Sequence, residues 1–258
     1  GGTLISKCLG AMDGVALLSE AHPQGLRWID PIKQAQQWYG LIDAREAAAI
    51  RTDAAPFQAL IELTAARCKA RGWTLLVRDW THLDFTGVPF VRPSFQLRTV
   101  QTLSASFDSV ANTATVRHPI DEWLSLDRLS VIHGRLSLAD YLRGYRKFAE
   151  AVQDIGFVRY EDFTHDPDGT LQRLCDRLRL PFDAGYRDRW AAYDRITGDV
   201  SRNGPPQTEI RPVRPKSYDP ELLSEFRASP DFQPALDLLG YVPDSSLPTS
   251  LAPAALAD

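Results

Sequence analysis

Four short apolar runs, Val15 to Leu18, Trp73 to Trp80, Thr113 to Val116 and Phe157 to Tyr160, are separated by stretches of helical periodicity. Strands that alternate with helices pair in parallel, and a parallel sheet must be covered on both faces. The expected fold class is therefore α/β, a parallel sheet flanked by helices on both faces. The intervening helices are read from Leu4 onward, over Leu26 to Ile42, and over Pro56 to Arg71 with Gly72 as its stop. Others follow over Ile120 to Leu129, over Ser137 to Ile155 with Gly156 as its stop, and from Asp166-Pro167 through Leu178. The last of these opens on an aspartate cap with proline in the first turn. No internal repeat or linker is visible, so residues 1–242 read as a single domain. Residues 243–258, rich in proline and alanine without periodicity, are expected to fray.

A chain of 258 residues is long enough for one large core, and 44% hydrophobic with 24% charged residues is an ordinary globular composition. The formal net charge of -4 gives no global field to attract nucleic acid or an anionic membrane, so an anion site must be built locally. Cys8, Cys68 and Cys175 are scattered within apolar segments, which predicts buried free thiols and a reducing, cytoplasmic setting. No apolar run approaches the ~18 residues that span a bilayer, and no secretory signal is visible.

In open α/β sheets ligands bind beyond the carboxyl ends of the strands, so the residues that follow each strand are the candidates. At the amino end, Gly1-Gly2-Thr3-Leu4 runs glycines straight into a helix, where backbone N–H groups and the helix dipole favour a phosphate. No Gly-Lys-Ser/Thr closes this stretch, so it is not a Walker A motif. Arg117 leaves the third strand in Arg117-His118-Pro119, and Ser125 follows eight residues later on the ensuing helix. A guanidinium there grips a phosphate with paired hydrogen bonds, and the hydroxyl supplies another. At the end of the fourth strand, Tyr160-Glu161-Asp162 offers a ring face and a hydroxyl to a purine. Read singly, each of these residues is as readily a turn, a surface charge or core.

These three segments, in this order, resemble the sulfotransferases that use 3′-phosphoadenosine 5′-phosphosulfate (PAPS), in particular their bacterial small-molecule branch. The resemblance runs from Gly1 to about Tyr241, loosely on the acceptor side. It implies a P-loop-like sheet, PAPS as donor, 3′,5′-adenosine bisphosphate as product, and no metal. Gly1-Gly2-Thr3 resembles the end of the loop that cradles the 5′-phosphosulfate; the family's loop lysine or arginine would lie just before Gly1, and this sequence does not show it. Arg117 and Ser125 match the 3′-phosphate ligands, and Tyr160 lies in the segment near the adenine. The turn-rich basic stretch Thr197 to Gly204 resembles a late loop over the nucleotide, with Arg202 as a second 3′-phosphate ligand.

The acceptor loses a proton as it attacks, so a base is expected near the sulfur. His82, after the second strand, is placed like the family's catalytic histidine, and an imidazole titrates near neutral pH. Glu20, after the first strand, is the rival. The remaining histidines, His22, His118, His133 and His165, form no metal-ligand spacing and read as structural or exposed. The expected partner is a small-molecule or carbohydrate acceptor presenting a hydroxyl or amine. Trp28, Trp38, Tyr39 and Phe90 favour an apolar or aromatic one, and a homodimer fits the same reading. The alternatives are a small-molecule kinase on the same architecture, which lacks its lysine and a magnesium carboxylate here, and an inactive nucleotide-binding relative.

Overall fold

A computed structural model of the chain describes residues 2–198, 208–214 and 216–248. Helix α1 (Gly2–Gly10) leads into strand β1 (Val15–Ala21), whose residues are all buried except Glu20, as expected of a strand covered on both faces. Helices α2 (Pro31–Gln37), α3 (Ala44–Arg51) and α4 (Pro56–Ala70) then return the chain to β2 (Thr74–Asp79), parallel to β1. The short α5 (His82–Phe85) and α6 (Arg98–Ser106) precede β3 (Ala114–Val116), and α7 (Pro119–Leu126) and α8 (Leu138–Ile155) lead to β4 (Phe157–Arg159), parallel to β3. Helices α9 (Tyr160–His165), α10 (Pro167–Leu178) and α11 (Tyr186–Arg189), then α12 (Pro220–Ala228) and α13 (Phe232–Leu239), complete the helical cover.

Three apolar clusters give both faces of these strand pairs a helical cover. Leu18 of β1 packs with Ile32, Phe57 and Leu60 of α2 and α4. Val15 of β1 and Val158 of β4 pack against α1 and α10 through Ile5, Cys8, Leu171 and Leu174. Ala114, Val116 and Phe157 of β3 and β4 pack with Leu142, Tyr145 and Ala149 of α8 and with Phe232 and Leu236 of α13. All three cysteines are free and buried, and burial pushes the Cys8 thiol up to about 12.

The structure differs from the sequence reading in several places. The helix expected over Leu26 to Ile42 is only α2, because Asp30 caps Lys33 N–H and Pro31 fits a first turn alone. The unread helix α3 is fixed by a reciprocal capping box between Asp43 and Glu46. The tail expected to fray from Pro243 instead folds through residue 248: β5 (Tyr241–Val242) pairs antiparallel with β6 (Ser245–Pro248). Residues 249–258 lie outside the described residues.

The sheet is also not one continuous ladder. Among the described residues β1 bonds β2 and β3 bonds β4, but no ladder joins the two pairs.

Gly144 couples the body of the fold to the short helix that carries His82. It sits inside α8, where a Cβ would be driven into the carbonyl oxygen of Phe85, the last residue of α5. Alanine in a helix interior ordinarily gains about 1 kcal/mol over glycine. Overpacking against a backbone atom costs about 1–3 kcal/mol and outweighs that gain. Gly144→Ala is therefore expected to lower Tm in a thermal melt; an unchanged or raised Tm would show that α5 yields freely.

Candidate active site

A cavity of about 910 Å³ opens at the carboxyl ends of β2 and β3 and runs down between them. Its upper wall gathers Gly2, Thr3, Glu20, Arg78, His82, Arg117 and Ser125. Six of the sequence-derived candidates, from four separate segments, thus share one concavity. Leu4 is turned into the core with Ile5. Tyr160 opens α9, and its ring lies 5.2 Å beneath the Arg117 guanidinium. Gly1 and Arg202 lie outside the described residues.

Arg78 is the residue that the sequence reading missed. Its signal was a charge at the end of an otherwise apolar strand. The guanidinium donates to Ser19 Oγ (3.2 Å), to the Thr197 carbonyl (3.0 Å) and to Thr3 Oγ1 (3.1 Å), and lies 3.5 Å from Glu20 Oε1. It joins the first turn of α1, the end of β1 and the loop at Thr197 around one cation. Burial lowers its pKa below the ordinary arginine value.

Glu20 has a left-handed backbone (φ 53°) where the β1–β2 register slips between Ser19 and Ala21. A non-glycine residue at positive φ is strained, and such strain persists where the surroundings fix it. Here the carboxylate is held by Arg78 on one side and lies against Gly198 on the other. A Cβ at Gly198 would come within 2.8 Å of Glu20 Oε1, and Gly198 itself has φ +68°, so glycine is required twice over.

His82 begins α5. Its Nε2 lies 2.6 Å from the Val88 carbonyl and its Nδ1 2.5 Å from Thr86 Oγ1. The carbonyl only accepts, so Nε2 carries the proton and Nδ1 is the basic nitrogen. The Thr86 hydroxyl has a second acceptor within reach, the His82 carbonyl at 3.0 Å, toward which the O–H can rotate and leave the Nδ1 lone pair free. Burial lowers the pKa of His82, opposed by the Val88 hydrogen bond and by the charge of Glu20, so the ring is neutral at pH 7.

The floor beneath α5 is polar and sealed. His22 Nε2 lies 3.3 Å from Asp84 Oδ2 with both side chains fully buried, and Asp84 also accepts from Ser94 Oγ and Arg98 N–H. Asp79, pushed up to about 6 by burial, accepts from Thr99 Oγ1. Beside His82, Phe90 packs edge-on against Trp80 (4.9 Å) and Trp28 (5.0 Å).

At the other lip, Arg117 stands 3.7 Å from Asp121, whose other oxygen accepts from Lys216 at 3.0 Å. Arg117 Nε is buried without a hydrogen-bond acceptor among the described residues. A buried charged donor of this kind requires an acceptor from elsewhere. Glu161, next to Tyr160, faces the core: it accepts from Tyr241 Oη (2.6 Å) and from the backbone N–H of His118. His118 is buried, stacked on Tyr218, and lowered to about 4 by burial, so it is structural. No group of three or more His, Cys, Asp or Glu among the described residues is placed to hold a metal ion. No helix among them is long and apolar enough to cross a membrane.

The first turn of α1, the strand-end Arg117 and His82 around one cleft mark the candidate site of an α/β fold. Two solved structures share this architecture over nearly the whole chain. One is a sulfotransferase domain from the curacin biosynthetic pathway, 17% identical over 94% of this chain and 94% of that one, with a TM-score of 0.57. The other is a sulfotransferase domain from the olefin synthase of Synechococcus PCC 7002, 17% identical over 92% of this chain and 88% of that one, with a TM-score of 0.59. No family model and no curated protein matches the sequence. The chain thus has the fold of the sulfotransferase domains; at this identity the likeness establishes the fold alone.

Proposed function

We propose that this protein is a sulfotransferase that moves a sulfuryl group from PAPS to a hydroxyl or amine of a small-molecule acceptor. The observation that carries the reading is the cleft itself: the first turn of α1, Arg117 with its unmet Nε donor, and the Glu20–His82 pair face one cavity. The α1 N–H groups hold the 5′-phosphosulfate, and Arg117 and Ser125 hold the 3′-phosphate, with Tyr160 beneath the guanidinium. Arg202 completes the nucleotide site as a second 3′-phosphate ligand. In-line transfer asks little covalent work of the protein beyond positioning and charge stabilisation. Thr3, tied to Arg78, aligns the sulfuryl end. Nδ1 of His82 takes the acceptor proton, and Glu20 stabilises the imidazolium that forms. The aromatic wall of Trp28, Trp80 and Phe90 beside His82 favours an apolar or aromatic acceptor.

Thermal shift tests the donor. With 3′,5′-adenosine bisphosphate at 100 times its Kd, binding adds about 2.7 kcal/mol of stability. 5′-AMP, which lacks the 3′-phosphate, is expected to shift Tm much less at the same concentration. Equal shifts, or a larger one with ATP, would remove the case for a 3′-phosphate subsite and favour a kinase.

A further inference from the structure

The edge of β1 that faces away from β2 pairs with no strand among the described residues. Two side chains close it instead. At Leu17 the Tyr39 hydroxyl accepts from the backbone N–H and donates to the carbonyl, both at 3.0 Å. At Ser19 the Gln34 carboxamide accepts from the N–H at 2.7 Å and donates to the carbonyl at 2.8 Å. Gln34 is buried on α2, whose Ile32 and Ala35 pack with Leu18 and Ala21 of the strand. Its amide thus takes the place of one peptide unit of a neighbouring strand, and satisfies backbone groups that burial would otherwise leave unpaired.

The two clamps hold different kinds of backbone. Leu17 lies inside the ladder opposite Leu76, and its neighbours stay in register. Ser19 is the last residue before the register slips: it pairs with Arg78, Ala21 resumes with Asp79, and Glu20 stands between them at φ 53°. A left-handed conformation at a residue other than glycine persists only where its surroundings fix it. The Glu20 carboxylate does not do this, because its 3.5 Å approach to Arg78 is longer than an ordinary hydrogen bond. Ser19 does. Besides the two Gln34 bonds, its Oγ accepts from the Thr197 N–H (3.0 Å) and from Arg78 (3.2 Å) and shares a 2.8 Å hydrogen bond with Thr197 Oγ1. Every polar group of the residue that precedes the bulge is engaged.

We infer that Gln34 is a positioning residue: by clamping both backbone groups of Ser19 it fixes the bulge that turns the Glu20 carboxylate toward Arg78 and His82. Gln34 does not line the cavity and acts only through the Ser19 backbone. The inference rests on the proposed pairing of Glu20 with His82. Of the charged groups around that ring, Arg78 of β2 is drawn to Glu20, and Asp84 of α5 turns away to His22 and Arg98. Helix α8 meets α5 through Gly144 and Phe148, which carry no charge. Glu20 is therefore the carboxylate that acts on His82.

The test is an NMR titration of the histidine rings in the intact chain, with His82 assigned by its loss in His82→Ala. Removing a carboxylate beside an imidazole lowers its pKa, so Glu20→Gln sets the full shift. Gln34→Met, similar in volume and unable to bond Ser19, is expected to give about half or more of that shift, and the double variant no more than Glu20→Gln alone. Gln34→Asn, one methylene shorter, cannot span both groups of Ser19 and carries the same expectation should Gln34→Met not fold. Tyr39→Phe opens the edge at Leu17 instead: it should lower Tm and leave the ring unmoved. Gln34 variants that lower Tm with His82 unmoved, or a double variant shifted by the sum of the two singles, overturn the inference and reduce Gln34 to an edge cap. So does a ring unmoved by Glu20→Gln, which removes the Glu20–His82 pair itself. The readout needs no PAPS, so a failure of the proposed transfer reaction would imitate none of these results.

Discussion

His82→Ala is expected to lower kcat by roughly 10²–10⁴ while leaving the affinity for 3′,5′-adenosine bisphosphate nearly intact. On the proposed reading the ring stands at the acceptor end of the cleft, and Arg117 and Ser125 would hold the nucleotide at the other lip. Protonated imidazole accepts no proton, so activity falls as pH drops through the pKa of His82. Burial lowers that pKa, so the acid limb lies below the ordinary histidine value of about 6.5. Glu20 supports the charged ring, so Glu20→Gln is expected to move the limb further to acid with a milder loss of rate. The contrary pattern, a collapsed Glu20→Gln beside an active His82→Ala, would make the carboxylate the base and His82 a fixture of the α5 turn. Hydrolysis of PAPS is the readout for both variants until an acceptor is identified, and a thermal melt of each separates lost chemistry from lost fold.

Arg117→Ala is expected to weaken binding of 3′,5′-adenosine bisphosphate by about ten- to a hundredfold, since a charge-assisted hydrogen bond contributes roughly 1.5–3 kcal/mol net. The fold should survive the change. Asp121 is left with Lys216 as its partner, and Tyr160 retains its packing against the α1–α10 cluster. Arg117→Lys is expected to recover only part of the affinity, because an ammonium cannot reproduce two parallel hydrogen bonds to one phosphate. Calorimetric titration measures all three proteins. Unchanged affinity in Arg117→Ala would leave Arg117 as a partner of Asp121 and Tyr160, and its unmet Nε donor without a function.

Most of the elements were legible because their signals are local. The cap at Asp166 and the stop at Gly156 act within a few residues, and the apolar runs of β1 and β2 are read without knowing what covers them. The same logic explains the miss between Trp28 and Ile42. Tryptophans at helical spacing suggested one long helix, while Asp30-Pro31 and the left-handed Gly40 confine it to two turns. Arg117 and His82 stood out because polar residues that follow an apolar strand mark the ligand end of a parallel sheet.

The sequence by itself therefore determined the alternation of strand and helix, the polar residues at the strand ends and the buried cysteines, all of which depend on neighbours a few residues away. Only the tertiary structure decided what these residues do to one another. Arg78 became a hub because Thr3, Ser19, Glu20 and Thr197, up to 119 residues from it, converge on its guanidinium. Glu161, read in the sequence as part of a candidate ligand motif, faces the core because Tyr241 and the His118 backbone reach it. The separation of the β1–β2 and β3–β4 ladders among the described residues belongs to this second kind as well. Whether a strand is paired depends on the arrangement of the whole sheet, and no pattern within the strand records it.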